Sequence, residues 1–421
     1  MANCNHTPND IENPPPTPLA TLLRNELDAL PPFSPMRCIY KVLPPLRYGN
    51  DRVYTPQLVS IGPIHHGKED LKSMEYHKKM CLNVFLKRSN KSLDYYVEMI
   101  KQEEEKLRSY YAEPIEFTPD EFVNIVLVDA AFIIEVLLSQ IQNQNRISDK
   151  LWMFQSVLND LMLLENQLPL FIIEKLLDRV YGGCESESDS IILLSYKLFG
   201  NGTTIKGKEE NLRRLRSSDV LHFVDFLRRL CVPLSGSGGQ IDALIVPKVT
   251  ELHRAGVKFK VGSSQNLFDL QFSKGVLEIP MFQIFDGTEL IIRNMLAFEQ
   301  YHCTENYLSD FVVMMDRLID TPDDVGLLVK YGIIENGLGD NANVSTLINK
   351  LQDGVYNDYG NFYFDTLSKQ LNDYYRTSWH KWKANLKQNY FNTPWATVSV
   401  IAAVLLIILT IIQAVCSVIS L

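Results

Sequence analysis

The sequence lacks the features that mark several common classes of protein. Its seven cysteines are scattered over 421 residues without a CxxC pair, which excludes a disulfide-dense mini-protein and disfavours a zinc site. Acidic residues outnumber basic ones by 50 to 41, so nucleic acid is not expected as a partner. No GxxxxGK[ST] phosphate loop and no GxSxG nucleophile motif occurs. We therefore expect a globular protein that is not an enzyme, needs no cofactor and keeps its cysteines reduced.

The N-terminal segment lacks the basic start and the apolar stretch of a secretory signal peptide. It carries instead two early acidic residues, Asp10 and Glu12, and four prolines between residues 14 and 18. Proline-rich segments of this kind tend to be extended and to stay outside the packed core. We expect residues 1–34 to form a disordered, proline-rich tail.

The C-terminal segment carries no charge after Lys387. From Val398 to Ile419 almost every residue is apolar, and a helix of this length rises about 33 Å, enough for a hydrocarbon core of ~30 Å. A buried core helix this long usually shows a polar stripe, which disfavours that alternative. We expect a transmembrane anchor over residues 395–419, with Trp395 at one membrane interface.

Basic residues flank this segment only on its N-terminal side. They are Lys381, Lys383 and Lys387. The positive-inside rule then places the bulk of a single-pass membrane protein in the cytosol, with the lipid bilayer as one partner. The alternative is a plasma-membrane protein with extracellular bulk, in which sequons such as Asn90 and Asn343 would be open to glycosylation. The sequence identifies no protein partner and no oligomeric state.

The body of the chain, residues 35–392, is mainly helical by its hydrophobic periodicity. Helices are predicted over residues 71–88, 151–168 and 364–390. The capping box Thr118–Glu121 begins a further helix that is apolar on nearly all sides. Because Asp129 and Glu135 interrupt this helix and charges are costly in lipid, we assign it to the core of the protein.

Strand patterns are confined to one region. Apolar and polar residues alternate from Phe268 to Phe272, and Ser273–Gly275 make a short turn into Val276–Ile279, which predicts a β-hairpin. An acidic, serine-rich loop after residue 181 divides the body into two possible lobes, 35–181 and 190–392. The predicted fold class is mainly α: a helix-rich globular body with a small β-hairpin and one C-terminal transmembrane helix.

A set of charged and amide side chains lies within or beside apolar helices, where burial is costly unless the groups are paired. The set comprises Asp129, Glu135, Glu165, Asn166, Gln167, Glu289, Arg293, Asn294, Glu299 and Gln300. We expect these groups to bond to one another or to helix ends, with Arg293 at the centre beside Glu289 at i−4. The favoured interpretation is a structural network that fixes helix register. The alternative is a ligand pocket, or paired carboxylates for acid–base hydrolysis.

Three histidines form a second candidate site. They are His65, His66 and His77, with acidic residues nearby. Adjacent histidines do not readily face one ion, and an HExxH pair is absent. We expect a loop whose histidines bond to the backbone, and metal binding is the alternative.

Several short motifs occur together between residues 37 and 415. They include Ser60–Gly67 (SIGPIHHG), Leu164–Pro169 (LENQLP), Ala297–Gln300 (AFEQ) and Pro394–Ala396 (PWA) before the apolar tail. In combination they resemble the plant domain of unknown function 247 family, the UPF0481-type proteins. Ile64 stands where the family usually has an aromatic residue in the first motif.

The resemblance implies a plant-specific, helix-rich protein anchored by one C-terminal span. No enzymatic activity is assigned to this family, and some grass relatives are associated with self-incompatibility. The resemblance therefore suggests a membrane-anchored module for interaction, recognition or signalling. An extracellular recognition ectodomain of the self-incompatibility type is the alternative that it implies.

Overall fold

The computed structural model describes residues 17–28, 34–47, 50–142, 151–181, 190–200, 209–233, 236, 238–240, 245–264, 266–377 and 394–419. Most of the predicted N-terminal tail lies outside these residues, as do Lys381, Lys383 and Lys387. Within that tail, Pro18–Asp28 is helical and buries none of its side chains. Proline is well tolerated in the first turn of a helix, so the proline run does not prevent this helix from starting at Pro18.

Helices dominate the described chain. In chain order they are α1 (Pro18–Asp28), α2 (Pro44–Arg47), α3 (Ser73–Ser89), α4 (Leu93–Lys101), α5 (Glu104–Arg108), α6 (Pro119–Gln142), α7 (Leu151–Leu161), α8 (Leu170–Tyr181), α9 (Ile191–Gly200), α10 (Glu209–Arg214), α11 (Phe223–Cys231), α12 (Val249–Arg254), α13 (Thr288–His302), α14 (Tyr307–Leu318), α15 (Pro322–Lys330), α16 (Asn341–Leu351), α17 (Asp365–Arg376) and the C-terminal helix (Pro394–Ile419). Short 3₁₀ turns occur at Asp51–Val53, Glu69–Leu71, Ser217–Asp219 and Tyr359–Asn361. The prediction of a helix-rich body is confirmed.

Helix α6 is the central element of the core. It begins at the predicted capping box, where the Thr118 backbone N–H donates to Glu121 Oε2 at 2.9 Å. Helices α3, α4, α8 and α9 pack against it. Residues Pro119–Ser139 are long and apolar enough to cross a membrane, but 94% of that apolar stretch is buried inside the protein. The assignment of this helix to the core is confirmed.

Helix α7 ends at Leu161, seven residues before the predicted end at 168. Gln167 Nε2 donates to the carbonyls of Leu161 and Leu163 at 2.7 and 2.8 Å, and Asn166 Nδ2 donates to the carbonyl of Asp160 at 2.9 Å. These amides satisfy carbonyls that a helix end leaves without intrahelical partners. The LENQLP motif is therefore a helix terminator, and the prediction that it continues the helix is wrong.

The predicted hairpin is present within a larger sheet. Strand β2 (Gln271–Ser273) pairs antiparallel with β3 (Val276–Ile279), and β1 (Lys258–Val261) pairs parallel with β3 on its other edge. Lys274 and Gly275, at φ 49° and 77°, form the two-residue turn. A separate parallel pair joins β4 (Phe282–Ile284) to β5 (Ile334–Asn336), and the sequence patterns had not indicated it.

The two predicted lobes share one hydrophobic core. A single cluster of buried apolar side chains runs from Cys38 to Leu371. Backbone contacts also cross the predicted boundary, since the Leu170 N–H donates to the Leu221 carbonyl at 2.7 Å.

Helix α17 ends at Arg376, and the next residue, Thr377, has an extended conformation. The predicted helix over 364–390 therefore stops early within the described residues, and its continuation past 377 lies outside them. Leu371 is fully buried, which agrees with the core face predicted for this helix.

Candidate functional site

The loop that carries the SIGPIHHG motif is held from three sides by buried polar groups. The Gly62 N–H donates to Asp129 Oδ2 on α6 at 2.8 Å, and the Ile61 N–H donates to Asn166 Oδ1 at 2.7 Å. Just upstream, Asp160 accepts the backbone N–H groups of residues 57, 58 and 59 at 2.7–2.9 Å. Residues that are 67 and 105 positions away in the sequence therefore fix this loop together. Buried backbone donors need such partners.

Lys78 on α3 is the cation that pairs with Asp129 beside this loop. Its side chain is fully buried, and Nζ lies 2.5 Å from Asp129 Oδ1 and 2.6 Å from Glu75 Oε1. It also donates to the carbonyl of Ser60 at 2.9 Å. Burial alone would lower the pKa of Lys78, but the carboxylates of Asp129 and Glu75 reverse that effect and raise it. The lysine is therefore charged at neutral pH.

Glu165 is a second buried carboxylate that binds the SIGPIHHG loop. Its Oε1 accepts the Val42 N–H at 2.6 Å and the guanidinium of Arg47, and its Oε2 lies 2.9 Å from His65 Nε2. Burial would raise the pKa of Glu165, but the hydrogen bonds from His65, Arg47 and Val42 lower it below its usual value. Burial lowers the pKa of His65. His65 is therefore neutral and donates its Nε2–H to an ionised Glu165, while its buried Nδ1 has no partner among the described residues.

Gly62 is the tightest point of the loop. Its φ is +72°, and a Cβ there would lie 2.6 Å from the Gln167 carbonyl oxygen and 3.0 Å from the Tyr111 hydroxyl. We expect Gly62→Ala to lower the free energy of unfolding by about 3 kcal/mol, from left-handed strain plus this clash. Chemical unfolding of the purified chain measures the loss.

Gly67 is the matched control for this substitution. It has a similar φ of +83°, but a Cβ there would meet nothing within 4 Å. Gly67→Ala should therefore lose only about 1 kcal/mol from strain alone. Equal losses for the two variants would show that Gly62 is not a close-packed position.

Arg293 is not the common centre of the predicted polar set. It does contact Glu289 as expected, with Nε 2.9 Å from Oε1, and its NH2 donates to the Lys350 carbonyl at 2.7 Å. It therefore ties α13 to the end of α16. Asn294, next to it, donates to the Val53 carbonyl at 2.6 Å and accepts the Leu164 N–H at 2.8 Å.

Glu299 forms another separate cluster at the end of α13. Arg228 Nε and NH2 lie 2.9 and 2.7 Å from Glu299 Oε2. Glu299 Oε1 also accepts the N–H and the hydroxyl of Ser309, at 2.8 and 2.9 Å, in the first turn of α14. Gln300 Nε2 donates to the Ser309 hydroxyl at 3.0 Å. These acceptors satisfy backbone donors that a helix start leaves open.

Glu135, the remaining member of the set, pairs with Arg88 on α3. The two guanidinium nitrogens Nε and NH2 lie 3.2 and 3.1 Å from Oε1 and Oε2, a bidentate contact. The predicted polar centre is thus divided into separate clusters. Four of them pair a buried carboxylate with a cation from another segment, and the fifth is the Glu289–Arg293 pair within α13. Sequence reasoning missed the cations of those four pairs, Arg47, Lys78, Arg88 and Arg228.

The three histidines do not form a metal centre. His65 bonds to Glu165, His66 packs edge-on against Phe117 at 5.6 Å between ring centroids, and His77 is exposed. Over the part of the chain that the structure describes, no three His, Cys, Asp or Glu side chains are grouped as ligands. Most described cysteine side chains are likewise buried free thiols, and burial raises the pKa of Cys81 to about 12.

Two cavities of about 570 Å³ each share a rim formed by residues 113–115, and one of them lies beside the loop. One is lined by Pro63 and Ile64 of the motif, by Lys41 and by residues 113–117. The other extends from the same 113–115 rim toward residues 34–37 and 104–109. Neither cavity is lined by a member of the predicted polar set. These two cavities therefore do not support the alternative of a ligand pocket built on those carboxylates.

The fold and the buried clusters define a helix-rich protein. In it, buried charge pairs hold the SIGPIHHG loop against the central helix α6. The sequence profile of the family DUF247, described as "Plant protein of unknown function", matches residues 39–409. The chain belongs to this plant family. The resemblance noted in the sequence is thereby confirmed.

Two Arabidopsis thaliana proteins are similar over most of their length. UPF0481 protein At3g47200 is 26% identical over 418 aligned positions, which cover 91% of this chain and 86% of the relative. A second relative, named as UPF0481 protein At3g02645, is 22% identical and covers 89% of each chain. No solved structure matches the chain.

Proposed function

We propose that this chain is a single-pass membrane-anchored protein without catalytic activity, whose helical body presents a surface to protein partners. The observation that carries the proposal is the contrast between α6 and the C-terminal helix, whose described apolar stretch is Ile401–Gln413. The apolar stretch of α6 is buried inside the protein, whereas the C-terminal helix exposes its apolar side chains. From Val398 to Ile412, the exposed Val, Leu and Ile side chains are 47–65% accessible.

Such exposure is unfavourable in water. Ten large aliphatic side chains left about half exposed cost roughly 10 kcal/mol in unburied apolar surface. A bilayer removes that cost without a protein partner, because lipid tails are as apolar as leucine. Trp395, 82% exposed at the start of the helix, has the amphipathic ring that is enriched at membrane interfaces.

The partner surface in this proposal is the region of the SIGPIHHG loop. The buried clusters of Lys78 and Glu165 hold this loop rigidly, so Pro63 and Ile64 line their cavity in a preformed arrangement. Lys41, Glu113 and Glu116 put both signs of charge beside that apolar lining. A rigid loop with an apolar centre and a charged rim has the composition of a recognition surface.

Alkaline extraction of membranes tests the anchor. We expect the full chain to stay in the membrane pellet and a chain without residues 394–421 to move to the soluble fraction. Ile408→Lys, near the middle of the helix, should shift a large share to the soluble fraction, since a central lysine costs about 3 kcal/mol on insertion scales. Ile408→Leu is the matched control and should behave as the unaltered chain.

Topology is tested in the same membranes. Protease added to intact cells should leave the body undigested if it is cytosolic. Glycosylation at the exposed Asn90 or Asn343 would instead establish the extracellular arrangement.

The alkaline extraction can also contradict the anchor. A chain without residues 394–421 that still stayed in the membrane pellet would refute it.

A further inference from the structure

The polar side chains that the structure describes between Val398 and Gln413 lie on one face of the C-terminal helix. Between Val398 and Gln413 the polar residues whose side chains the structure describes are Ser399, Thr410 and Gln413, and all three are exposed. Ala403 and Leu406 lie on the same face. Positions 399, 403, 406, 410 and 413 are therefore spaced alternately by four and three residues. That spacing keeps positions on a single seam between helices, with a left-handed crossing. The other faces carry Val, Leu and Ile.

Among the seam residues, Gln413 has the side chain that costs the most free energy to bury in a bilayer. The Thr410 hydroxyl donates to the Leu406 carbonyl at 2.7 Å, so it is satisfied within its own helix. Gln413 carries two N–H donors and a carbonyl acceptor at the end of a longer side chain. It lies about 7 Å along the axis from the middle of residues 398–419, well within a hydrocarbon half-thickness of ~15 Å. An amide without a partner at that depth costs several kcal/mol.

We propose that the partner of this seam is the same helix of a second copy of the chain, in a parallel dimer. The inference rests on the proposed membrane anchor. All copies insert with the same orientation, so a second Gln413 lies at the same depth. Because one amide offers both donors and an acceptor, two identical amides across a two-fold axis satisfy each other.

The rest of the seam fits close approach of two backbones. Ala403 and Ser399 are small, and small residues allow helices to pack tightly in lipid. The described body does not cover this seam, since the side chains of residues 401–413 are all exposed. The dimer therefore forms through the anchor and leaves the loop surface of each body open to partners.

Energy transfer between full-length chains in phosphatidylcholine vesicles tests the dimer. Donor- and acceptor-labelled chains are reconstituted together, and transfer is measured as lipid is added to dilute the protein. We expect Gln413→Leu to lower the association constant about tenfold, from loss of the interhelical hydrogen bonds. Gln413→Asn retains an amide and should recover a large part of the loss.

Disulfide trapping tests the seam independently. In a Cys416→Ser background, Ala403→Cys should yield a cross-linked dimer on oxidation, whereas Ile408→Cys, on the opposite face, should not. Equal transfer for Gln413→Leu and the unaltered chain, or equal cross-linking at the two positions, would overturn the dimer. Chains that fail to float with the vesicles would refute the anchor, and chains that float but stay monomeric would refute only the dimer.

Discussion

Replacing Lys78 by methionine should lower the free energy of unfolding by about 3–5 kcal/mol, the usual cost of leaving a buried charge without its partner. Asp129 is 1% exposed and would lose the cation that lies 2.5 Å away. The Ser60 carbonyl would also lose its donor, so the SIGPIHHG loop should loosen before the rest of the fold. Guanidinium unfolding of the purified chain, followed by circular dichroism, measures the loss. Hydrogen exchange shows which segment loses protection first.

A second substitution separates lost charge pairing from lost packing. Asp129→Asn in the Lys78→Met background removes the unpaired charge and keeps an acceptor for the Gly62 N–H, so it should recover part of the stability. Lys72→Met is the matched control, because Lys72 and its partner Glu69 are 54% and 83% exposed. It should change stability by less than about 1 kcal/mol. A Lys78→Met variant as stable as Lys72→Met would contradict the buried-pair interpretation.

The contribution of Asp310 on α14 to stability should fall as pH rises from about 4 to about 7. Asp310 is 2% exposed. Its Oδ2 accepts the Tyr363 N–H at 2.7 Å, but its Oδ1 has no partner among the described residues. Burial, and then repulsion from Glu299 and Asp358, raises the pKa of Asp310 to about 7.

The sign follows from linkage between protonation and folding. Well below its ordinary pKa of about 4 the carboxyl is protonated in both states, so it adds no pH dependence there. Between its ordinary pKa and about 7 only the unfolded chain releases the proton, which favours unfolding by up to about 4 kcal/mol. Above pH 7 the effect is constant. Burial raises the pKa of Asp160 to about 6, and this shift acts in the same direction. Burial lowers the pKa of His222 to about 4, and this shift acts in the opposite direction between about pH 4 and its ordinary pKa, so the Asp310 effect is read from a variant rather than from the unaltered chain alone.

Asp310→Asn tests this dependence. The asparagine cannot ionise and keeps an acceptor for Tyr363, so the variant should gain stability relative to the unaltered chain at pH 8 and gain less at pH 5. Asp323→Asn, at an exposed position of α15, is the control and should leave the pH profile unchanged. An Asp310→Asn profile parallel to that of the unaltered chain would show that Asp310 is ionised throughout.

Some of the missed cations left a signal in the sequence. Lys78 stands four residues after Met74 and three before Cys81, in the middle of the apolar stripe of α3. Arg228 holds the same place between Val224 and Cys231 on α11. A charged residue at a core position of an amphipathic helix indicates a buried pair. Helical periodicity identifies such a residue, but it does not identify its partner.

The wrong helix ends have a different origin. The LENQLP segment has the hydrophobic pattern of a continuing helix, and the amides of Asn166 and Gln167 compete for the carbonyls at its end. Whether such side chains cap a helix or lie on its surface depends on the elements around them. The β4–β5 pair was missed for a similar reason, since Phe282 and Ile334 are far apart in the chain.

Local patterns in the sequence alone determined the core helix from Thr118, the hairpin at Lys274–Gly275 and the long apolar C-terminal helix. Periodicity, capping and turn preference act over a few residues, so they can be read without the fold. Tertiary structure alone decided which cation meets each buried carboxylate, because Lys78 and Asp129, or Arg47 and Glu165, lie 51 and 118 residues apart. The pairing depends on how helices pack, and local sequence does not encode that geometry.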